Sequence, residues 1–485
     1  MTTPANAAGL YLYSRLATAL LGLAAIAIAT RVYDDRSFAY VATILLLYQT
    51  AYALGSLGLP EAVFFFVGRD RQRAPAVVRQ ASLLLLAVAI PVIAVVVAVG
   101  YAIAKPEVDV VPALPWLVVA LVCAMPTQPA VNQLLAVGRA RAASILQATF
   151  ALLEALAMVI PMASDLDVTW TPVLLALATS ARLAVHAYLL RVVFPDPGRW
   201  VVARELRAML AFAGPAGLAT LCGKLNSQVD KYVVNLVLST QVFAFYTAAS
   251  WELPLVSMIP YAIGAVMQVR YVELYAQGRL RELHALWLAN VEKTALVVLP
   301  VTVFVIAMAP ALVELLFGAA YLPATLPFQL FSAVLLHRVA SYGAMLQATN
   351  QTRNLLVTSV LLVGTNAMLT LPLTWLLGYP GAALATLLAN IPPWLWTLSR
   401  IAQAMKVGMR EVLPWRSLAR TLVLAAAIGL AVELAVAQLA LSPGPRLALA
   451  ALAFTSSYLA VALRLGSVTR ADLAYLGRWL SFRLR

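Results

Sequence analysis

Charged residues are scarce in this sequence. Asp, Glu, Lys and Arg make up 11% of its 485 residues, whereas 63% are hydrophobic and the mean hydropathy is +0.89. Soluble globular domains have roughly a quarter of their residues charged. The composition therefore excludes an ordinary soluble enzyme and predicts a chain that crosses a membrane many times.

Residues that carry catalysis are also few. The two cysteines, Cys123 and Cys222, lie in apolar stretches and form neither a metal motif nor an obvious disulfide. The sequence has no Gly-rich phosphate loop, no zinc-ligand spacing and no histidine-centred triad. These absences argue against an enzyme, a metal site and a bound cofactor.

Long apolar stretches, by contrast, fill most of the chain. Because about 20 apolar residues cross the hydrocarbon as a helix, we predict an all-α polytopic protein with about fourteen spans, at residues 9–31, 39–66, 80–104, 113–136, 143–163, 172–193, 209–238, 242–269, 294–317, 325–348, 355–377, 380–403, 418–440 and 446–463. The first span carries Arg15 and no cleavage site follows it, which favours a retained helix over a signal peptide.

The distribution of positive charge predicts the orientation of these spans. Alternate connectors are basic, such as "RDRQR" at 69 and "GRARA" at 138, and short basic connectors stay in the cytoplasm. Of the 34 basic residues, only Arg31, Arg36, Lys105 and Arg446 fall in the opposite set. We therefore expect both termini in the cytoplasm. Anionic lipid headgroups account for the net charge of +14 without a nucleic-acid partner.

Two short matches indicate an internal repeat. "SFAYVAT" at 37–43 aligns with "VFAFYTA" at 242–248, and "LLAVGRAR" at 134–141 aligns with "LQATNQTR" at 346–353. The offsets of 205 and 212 residues correspond to six spans with their connectors, as in transporters with two related lobes. The predicted organisation is a six-helix lobe at 1–194, a cytoplasmic linker at 195–208, a second six-helix lobe at 209–403, and a final helix pair with a basic tail at 404–485.

Charged and polar residues within the spans are the candidate site. Charges at mid-membrane are costly and usually face a wet cavity or a partner. The predicted seventh span presents five polar residues at helical spacing on one face: Lys224, Ser227, Gln228, Lys231 and Asn235. Asp230 lies on another flank, where we expect it to pack toward a neighbouring helix. Further candidates are Ser14, Arg15, Gln49, Tyr52, Arg182, Arg338, Ser341 and Tyr342.

The basic members of this set suit an anionic substrate. Arg offers a phosphate two parallel donors and Lys a point charge, so Arg15, Lys224 and Arg338, together with Lys231 and Arg182, are predicted to form a cationic cavity. The alternative for each arginine is a buried ion pair, such as Arg182 with Glu154. Asp230, Glu252, Glu61 and Glu154 are left with two roles, ion pairing or binding of a coupling proton or Na⁺.

Three segments also carry a family resemblance. "VDKYVVNLVLSTQVFAFYTAA" at 229–249, "LVELLFGAAYLPATLPFQLFSAVLL" at 312–336 and "LGYPGAALATLLAN" at 377–390 resemble the Wzx-type polysaccharide flippases of the multidrug/oligosaccharidyl-lipid/polysaccharide (MOP) exporter superfamily. The resemblance implies a V-shaped, MATE-like pair of lobes around a central cavity. It also implies that a polyprenyl-pyrophosphate-linked oligosaccharide is carried from the inner to the outer leaflet.

We therefore expect a flippase of the bacterial cytoplasmic membrane, used in O-antigen, capsule or exopolysaccharide assembly. The expected partners are the lipid-linked glycan, membrane lipids, and polymerase and chain-length components, with a monomer as the working unit and H⁺, Na⁺ or the membrane potential as the energy source. A drug or cation antiporter of the same superfamily and a lipid II flippase are the alternatives. A membrane-embedded ligase is disfavoured because no outer connector is long enough to form its active site.

Overall fold

The structure is a computed structural model that describes residues 4–195, 203–251 and 254–464. Its regular elements in these ranges are helices, with one isolated β-bridge between Lys105 and Val108. The α-helices are α1 Pro4–Val32, α2 Asp35–Ser56, α3 Leu59–Arg69, α4 Ala74–Ile103, α5 Leu114–Ala124, α6 Ala130–Ala136, α7 Ala140–Ala163, α8 Thr171–Val192, α9 Ala203–Val237, α10 Thr240–Ala249, α11 Pro254–Ala276, α12 Leu280–Ala307, α13 Ala309–Phe317, α14 Thr325–Ala333, α15 Tyr342–Ala348, α16 Thr352–Leu377, α17 Tyr379–Ala389, α18 Ile391–Met405, α19 Trp415–Ala437 and α20 Pro443–Arg464.

Eleven helices in the described part of the chain are long and apolar enough to cross a membrane. The all-α polytopic fold is confirmed, whereas the count of fourteen spans stays a prediction. The other three predicted spans, 209–238, 242–269 and 380–403, coincide with α9, with α10 and α11, and with α17 and α18. The last two pairs are interrupted helices because Pro254 opens α11 and prolines lie in the first turn of α18.

The predicted fourth and tenth spans are interrupted at matching positions. In the fourth, α5 ends at Ala124, a 3₁₀ turn covers Met125–Thr127, and α6 begins at Ala130. In the tenth, a 3₁₀ turn covers Val334–His337 and α15 begins only at Tyr342. The offset of 212 residues that relates "LLAVGRAR" to "LQATNQTR" also relates these two breaks. Prolines 126 and 129 explain the first break; in the second, the Tyr342 hydroxyl donates to the free carbonyl of His337 over 2.8 Å.

A glycine packs against each break. A Cβ on Gly55 of α2 would lie 2.3 Å from Sδ of Met125, and one on Gly264 of α11 would lie 2.2 Å from Cβ of Ser341. The two glycines end the related segments "YALG" at 52–55 and "YAIG" at 261–264. Absence of a side chain therefore permits the same close packing in both halves of the sequence.

The chain divides into two compact units. The first comprises residues 1–248 with 359–382, and the second comprises 249–358 with 383–485. In the first, a buried apolar core gathers α3, α4 and the start of α9, including Leu59, Val78 and Met209. In the second, Trp287 of α12 is the largest fully buried side chain, and its indole donates to the carbonyl of Val412 over 2.8 Å. The six-plus-six-plus-two organisation of the sequence stays a prediction.

The turn between α2 and α3 lies directly on α9. Gly58 has a φ of 70°, and a Cβ on Gly217 of α9 would lie 2.4 Å from the carbonyl oxygen of Leu57. Backbone atoms cannot yield as a flexible side chain can. The contact therefore requires glycine at 217 and fixes the first turn of α3 beside α9.

We predict that Gly217→Ala destabilises the protein by about 1–3 kcal/mol, because the added methyl overpacks against backbone. Gly223→Ala is the matched control, since it lies on the same helix and no described atom lies within 4 Å of its added Cβ. Thermal unfolding of both variants in detergent measures the difference. An unchanged unfolding temperature for Gly217→Ala would show that this contact is not tight.

Candidate functional site

The polar face of α9 changes in exposure along the helix. Lys224 and Ser227, the first two residues of this face along the chain, are exposed, and Lys231 is half-buried. Gln228 and Asn235 are buried, with 8% and 4% of their surface exposed. One part of the predicted face is therefore open, while the other is covered by protein.

Helix α2 covers the buried part. The Gln228 side-chain amide donates to Oε1 of Gln49 over 3.3 Å, and the Asn235 amide donates to Oγ1 of Thr43 over 3.2 Å. All four side chains carry neutral amide or hydroxyl groups, and they lie on facing helices. Polar side chains inside a membrane are commonly satisfied by such hydrogen bonds between helices. Two members of the predicted site, Gln49 and Gln228, are thus brought into contact.

The same contact continues past the end of α9. Gln241 of α10 donates to Oδ2 of Asp35 over 2.8 Å, and Nζ of Lys105 donates to the carbonyl oxygen of Leu238 over 2.7 Å. A cation at this position stabilises the negative end of the α9 dipole. Burial lowers the pKa of Lys105, and Glu107 opposes that shift. We call the three side-chain pairs Gln49–Gln228, Thr43–Asn235 and Asp35–Gln241 the polar seam.

A small cavity lies beside the polar seam. Its volume is about 10 Å³, room for about one water molecule. Thr43, Lys105, Asn235 and Thr240 line it, and neither Oδ1 of Asn235 nor Oγ1 of Thr240 has a hydrogen-bond partner among the described residues. The cavity therefore places two unsatisfied oxygens beside a space of the size of one water molecule.

On the open part of α9, Lys224 interacts with a carboxylate. Glu61 lies in the first turn of α3, close enough to Lys224 for an electrostatic interaction between them. The tight packing of Gly58 on Gly217 holds this turn of α3 beside α9. Two residues predicted for separate roles, a substrate cation and a coupling carboxylate, are therefore neighbours.

Asp230 points away from this face. It is buried, accepts a hydrogen bond of 2.6 Å from the Tyr246 hydroxyl and accepts one of 2.9 Å from the backbone N–H of Lys231. Tyr246 belongs to α10 and is itself fully buried. Asp230 thus packs toward a neighbouring helix, where a tyrosine is one of its partners.

Arg182 is at the centre of a cluster in the first unit. Its Nη1 lies 2.9 Å from Oε1 of Glu154, its Nη2 donates to the Tyr52 hydroxyl, and its Cζ lies 4.6 Å from the centre of the Phe150 ring. The Tyr48 hydroxyl also donates to Glu154 over 3.2 Å. The ion pair allowed by the sequence is therefore present. Substrate contact by Arg182 stays a prediction.

Tyr48 and Phe150 were not among the residues selected from sequence. Tyr48 lies four residues before Tyr52 on α2, and Phe150 lies four residues before Glu154 on α7. This spacing puts both aromatic rings on the same helix faces as the ion-pairing groups. This spacing could have identified Tyr48 and Phe150 from the sequence. It does not by itself show that the faces of α2 and α7 meet.

The remaining basic candidates lie in different places. Ser14 is buried on α1 and its hydroxyl donates to Gln147 over 3.5 Å, whereas the adjacent Arg15 is exposed. Arg338 is half-buried in the interrupted tenth span, with Ser341 and Tyr342 at the start of α15. Arg15 and Lys224 belong to the first unit and Arg338 to the second. Convergence of the three stays a prediction.

The carboxylates considered for ion coupling are dispersed. Glu61, Glu154 and Asp230 each interact with a different partner, as described above, and Glu252 lies outside the described residues. Within the ranges that the structure covers, no group of three or more His, Cys, Asp or Glu side chains is placed to hold a metal ion.

Comparison with solved structures finds several membrane proteins with a similar fold. A structure described as the lipid II flippase MurJ in an inward closed conformation is similar with a TM-score of 0.68 and 11% identity, over 94% of this chain and 99% of that one. An inward-facing multidrug resistance MATE family transporter of the MOP superfamily gives a TM-score of 0.64 with 18% identity, over 80% of this chain and 96% of that one. A MOP superfamily transporter from Pyrococcus furiosus, whose binding pocket is described as reversed in polarity, gives 0.55 with 14% identity, over 84% and 98%.

Comparison by sequence identifies the family. No curated protein matches the chain. The family model described as "Polysaccharide biosynthesis protein" matches residues 28–326, which is more than half of the 485 residues. Together with the MOP-type fold, this match confirms the resemblance found in the sequence. The chain belongs to the polysaccharide biosynthesis protein family.

Proposed function

We propose that this protein is a flippase that moves a polyprenyl-pyrophosphate-linked oligosaccharide from the cytoplasmic to the outer leaflet for polysaccharide assembly. The observation that carries the proposal is the exposed Lys224 on α9, a helix that coincides with a predicted span, in a member of a polysaccharide biosynthesis family. An exposed cation at that position is expensive unless it serves an anionic ligand. A pyrophosphate diester supplies that anion.

The electrostatics around Lys224 support reversible binding. Glu61 stabilises the lysine charge in the empty site, and an arriving pyrophosphate competes with Glu61 for it. The exposed Arg15 on α1 adds a second cation, which offers the planar double donor that phosphate oxygens favour. Lys231 and Arg338 complete the proposed cationic set. Release of Glu61 on substrate binding makes it the leading candidate for a coupling carboxylate.

The polar seam supports alternating access. Its two hydrogen bonds between α2 and α9 are each worth about 0.6 kcal/mol inside a membrane, and the third, Asp35–Gln241, is exposed. A total of about 1 kcal/mol between α2 and α9 is small enough for them to separate thermally during a transport cycle. The membrane potential assists outward movement of the anion by about 2.3 kcal/mol per charge per 100 mV if the full field is crossed.

A lipid II flippase is the second candidate. The MurJ structure, described as a lipid II flippase, is similar over nearly the full length of both chains. A MATE-like antiporter of drugs or cations is the third, supported by the second structural match. An exposed basic site favours both flippases over an exporter of cations.

The setting proposed is the bacterial cytoplasmic membrane, with both termini in the cytoplasm and a monomer as the transport unit. The eleven apolar helices support a multi-pass protein, and the basic connectors support the orientation. Polymerase and chain-length proteins of the same pathway are the proposed partners on the outer side.

Depletion of the protein in its host should make a complete polyprenyl-pyrophosphate oligosaccharide accumulate, and Lys224→Ala and Arg338→Ala should fail to clear it. Arg416→Ala, an exposed basic position at the start of α19, is the control expected to restore clearance. Mass spectrometry of extracted polyprenyl lipids measures the outcome and identifies the glycan. Accumulation of lipid II would favour the second candidate. Unchanged lipids together with lost resistance to cationic compounds would contradict the flippase proposal.

Locking the polar seam should arrest transport. In a background without Cys123 and Cys222, cysteines at Asp35 and Gln241 joined by a short thiol cross-linker hold α2 against α10. We expect flipping in vesicles to stop after cross-linking and to recover on reduction. Flipping that continues in a fully cross-linked sample would show that the seam does not open.

The Arg182–Glu154 pair should behave as a structural unit. Arg182→Gln and Glu154→Gln should each lower stability, and the double variant should lose less than their sum. The expected coupling is about 1–3 kcal/mol, because removing Glu154 leaves the buried Arg182 charge without its ion pair. A thermal double-mutant cycle measures it. Additive losses, with transport abolished only by Arg182→Gln, would instead favour substrate contact by the arginine.

A further inference from the structure

Arg182 has a counterpart in the second half of the sequence. "TSARLA" at 179–184 aligns with "TLSRIA" at 397–402, which places Arg400 at the position of Arg182. The threonine three residues earlier is buried in both helices, as Thr179 on α8 and Thr397 on α18. The two arginines therefore occupy related positions on related helices.

Their surroundings differ in charge. Arg182 is paired with Glu154. The two arginines are 218 residues apart, whereas the 212-residue offset of the segments that precede α7 and α16 places Asn366, a neutral amide, at the position of Glu154. Arg400 donates from Nη1 to Oε1 of Gln403 over 3.0 Å, and no ion pair between Arg400 and a carboxylate occurs in the described ranges. The second half has kept the arginine without the counter-ion.

Two donors beside this arginine lack acceptors. The Arg400 guanidinium stacks on Trp396, one helical turn earlier, with Cζ 4.0 Å from the ring centre. Nε of Arg400 and Nε1 of Trp396 are both buried, and neither has a hydrogen-bond partner in the described part of the chain. A buried donor left without an acceptor is energetically unfavourable. An anionic oxygen at the edge of this stack, bound by both donors, would remove that penalty and neutralise the arginine.

Arg400 lies near the end of α18 that is predicted to face the cytoplasm. Arg400 lies five residues before the end of the helix at Met405, roughly 8 Å along its axis. The connector that follows is basic, with Lys406 and Arg410, and is predicted to be cytoplasmic. Gln351 fixes this end of the helix, because its side-chain amide donates to the carbonyl of Arg400 over 3.1 Å.

We propose that Arg400 and Trp396 form a binding site for the phosphate group of a lipid at the cytoplasmic end of α18. The guanidinium supplies charge and paired donors, and the indole N–H supplies a third donor to the same group. Two lipids carry this chemistry: an anionic phospholipid of the inner leaflet, and the polyprenyl pyrophosphate of the substrate as it enters. The second source rests on the proposed function, and the first does not.

Native mass spectrometry of the purified full-length protein tests the site, with phosphatidylglycerol and undecaprenyl pyrophosphate titrated separately. Arg400→Gln should weaken binding of at least one of them about tenfold, the loss of one charge-assisted contact. Arg416→Gln removes the same charge from an exposed position and should change neither affinity. Trp396→Phe keeps the ring beneath the guanidinium but loses the indole donor, and should weaken binding severalfold.

The two titrations separate the sources. A loss confined to phosphatidylglycerol assigns the site to a membrane phospholipid, even if the flippase proposal fails. A loss confined to undecaprenyl pyrophosphate assigns it to the entering substrate, and a loss for both assigns it to phosphate in general. Unchanged affinity for both lipids in Arg400→Gln, or an equal change in Arg416→Gln, overturns the proposal.

Discussion

Buried polar groups on α9 need hydrogen-bond partners within the protein, and much of the first unit is arranged to supply them. Gln228 and Asn235 find neutral side chains on α2, Asp230 finds the hydroxyl of Tyr246, and Lys224 has Glu61 beside it. Each unsatisfied polar group in hydrocarbon would cost several kcal/mol. The positions of α2, α3 and α10 around α9 follow from this requirement.

The strengths of these contacts differ in a way that suits transport. The seam with α2 consists of amide, hydroxyl and carboxylate-to-amide hydrogen bonds, which are individually weak inside a membrane. The contact of the α2–α3 turn with α9, by contrast, is backbone against backbone at Gly58 and Gly217, and tolerates no side chain. A tight contact at one end and a separable one at the other allow α2 to move without losing its attachment.

The two halves of the sequence share the positions of their helix breaks but differ in the charge around a related arginine. Helix breaks recur at Met125 and His337, each with a glycine from the "YAxG" segment packed against the break. The related arginines differ: Arg182 is held by Glu154, whereas Arg400 stacks on Trp396 and has no carboxylate partner among the residues that the structure describes. Backbone packing cannot change in one half without loss of the fold, while a side-chain counter-ion can be replaced by a ligand.

The sequence by itself determined the all-helical membrane fold, because a backbone in hydrocarbon must satisfy its own hydrogen bonds and the apolar runs show where it does so. Periodicity also predicted the shared face of Lys224, Gln228 and Asn235, and composition allowed the Arg182–Glu154 pair. Only the tertiary structure decided that this face is half open and half covered by α2, that Glu61 is the neighbour of Lys224, and that Arg338 lies in an interrupted helix. Helical spacing fixes which residues share a face, whereas which helix covers that face depends on packing between segments that are far apart in the chain.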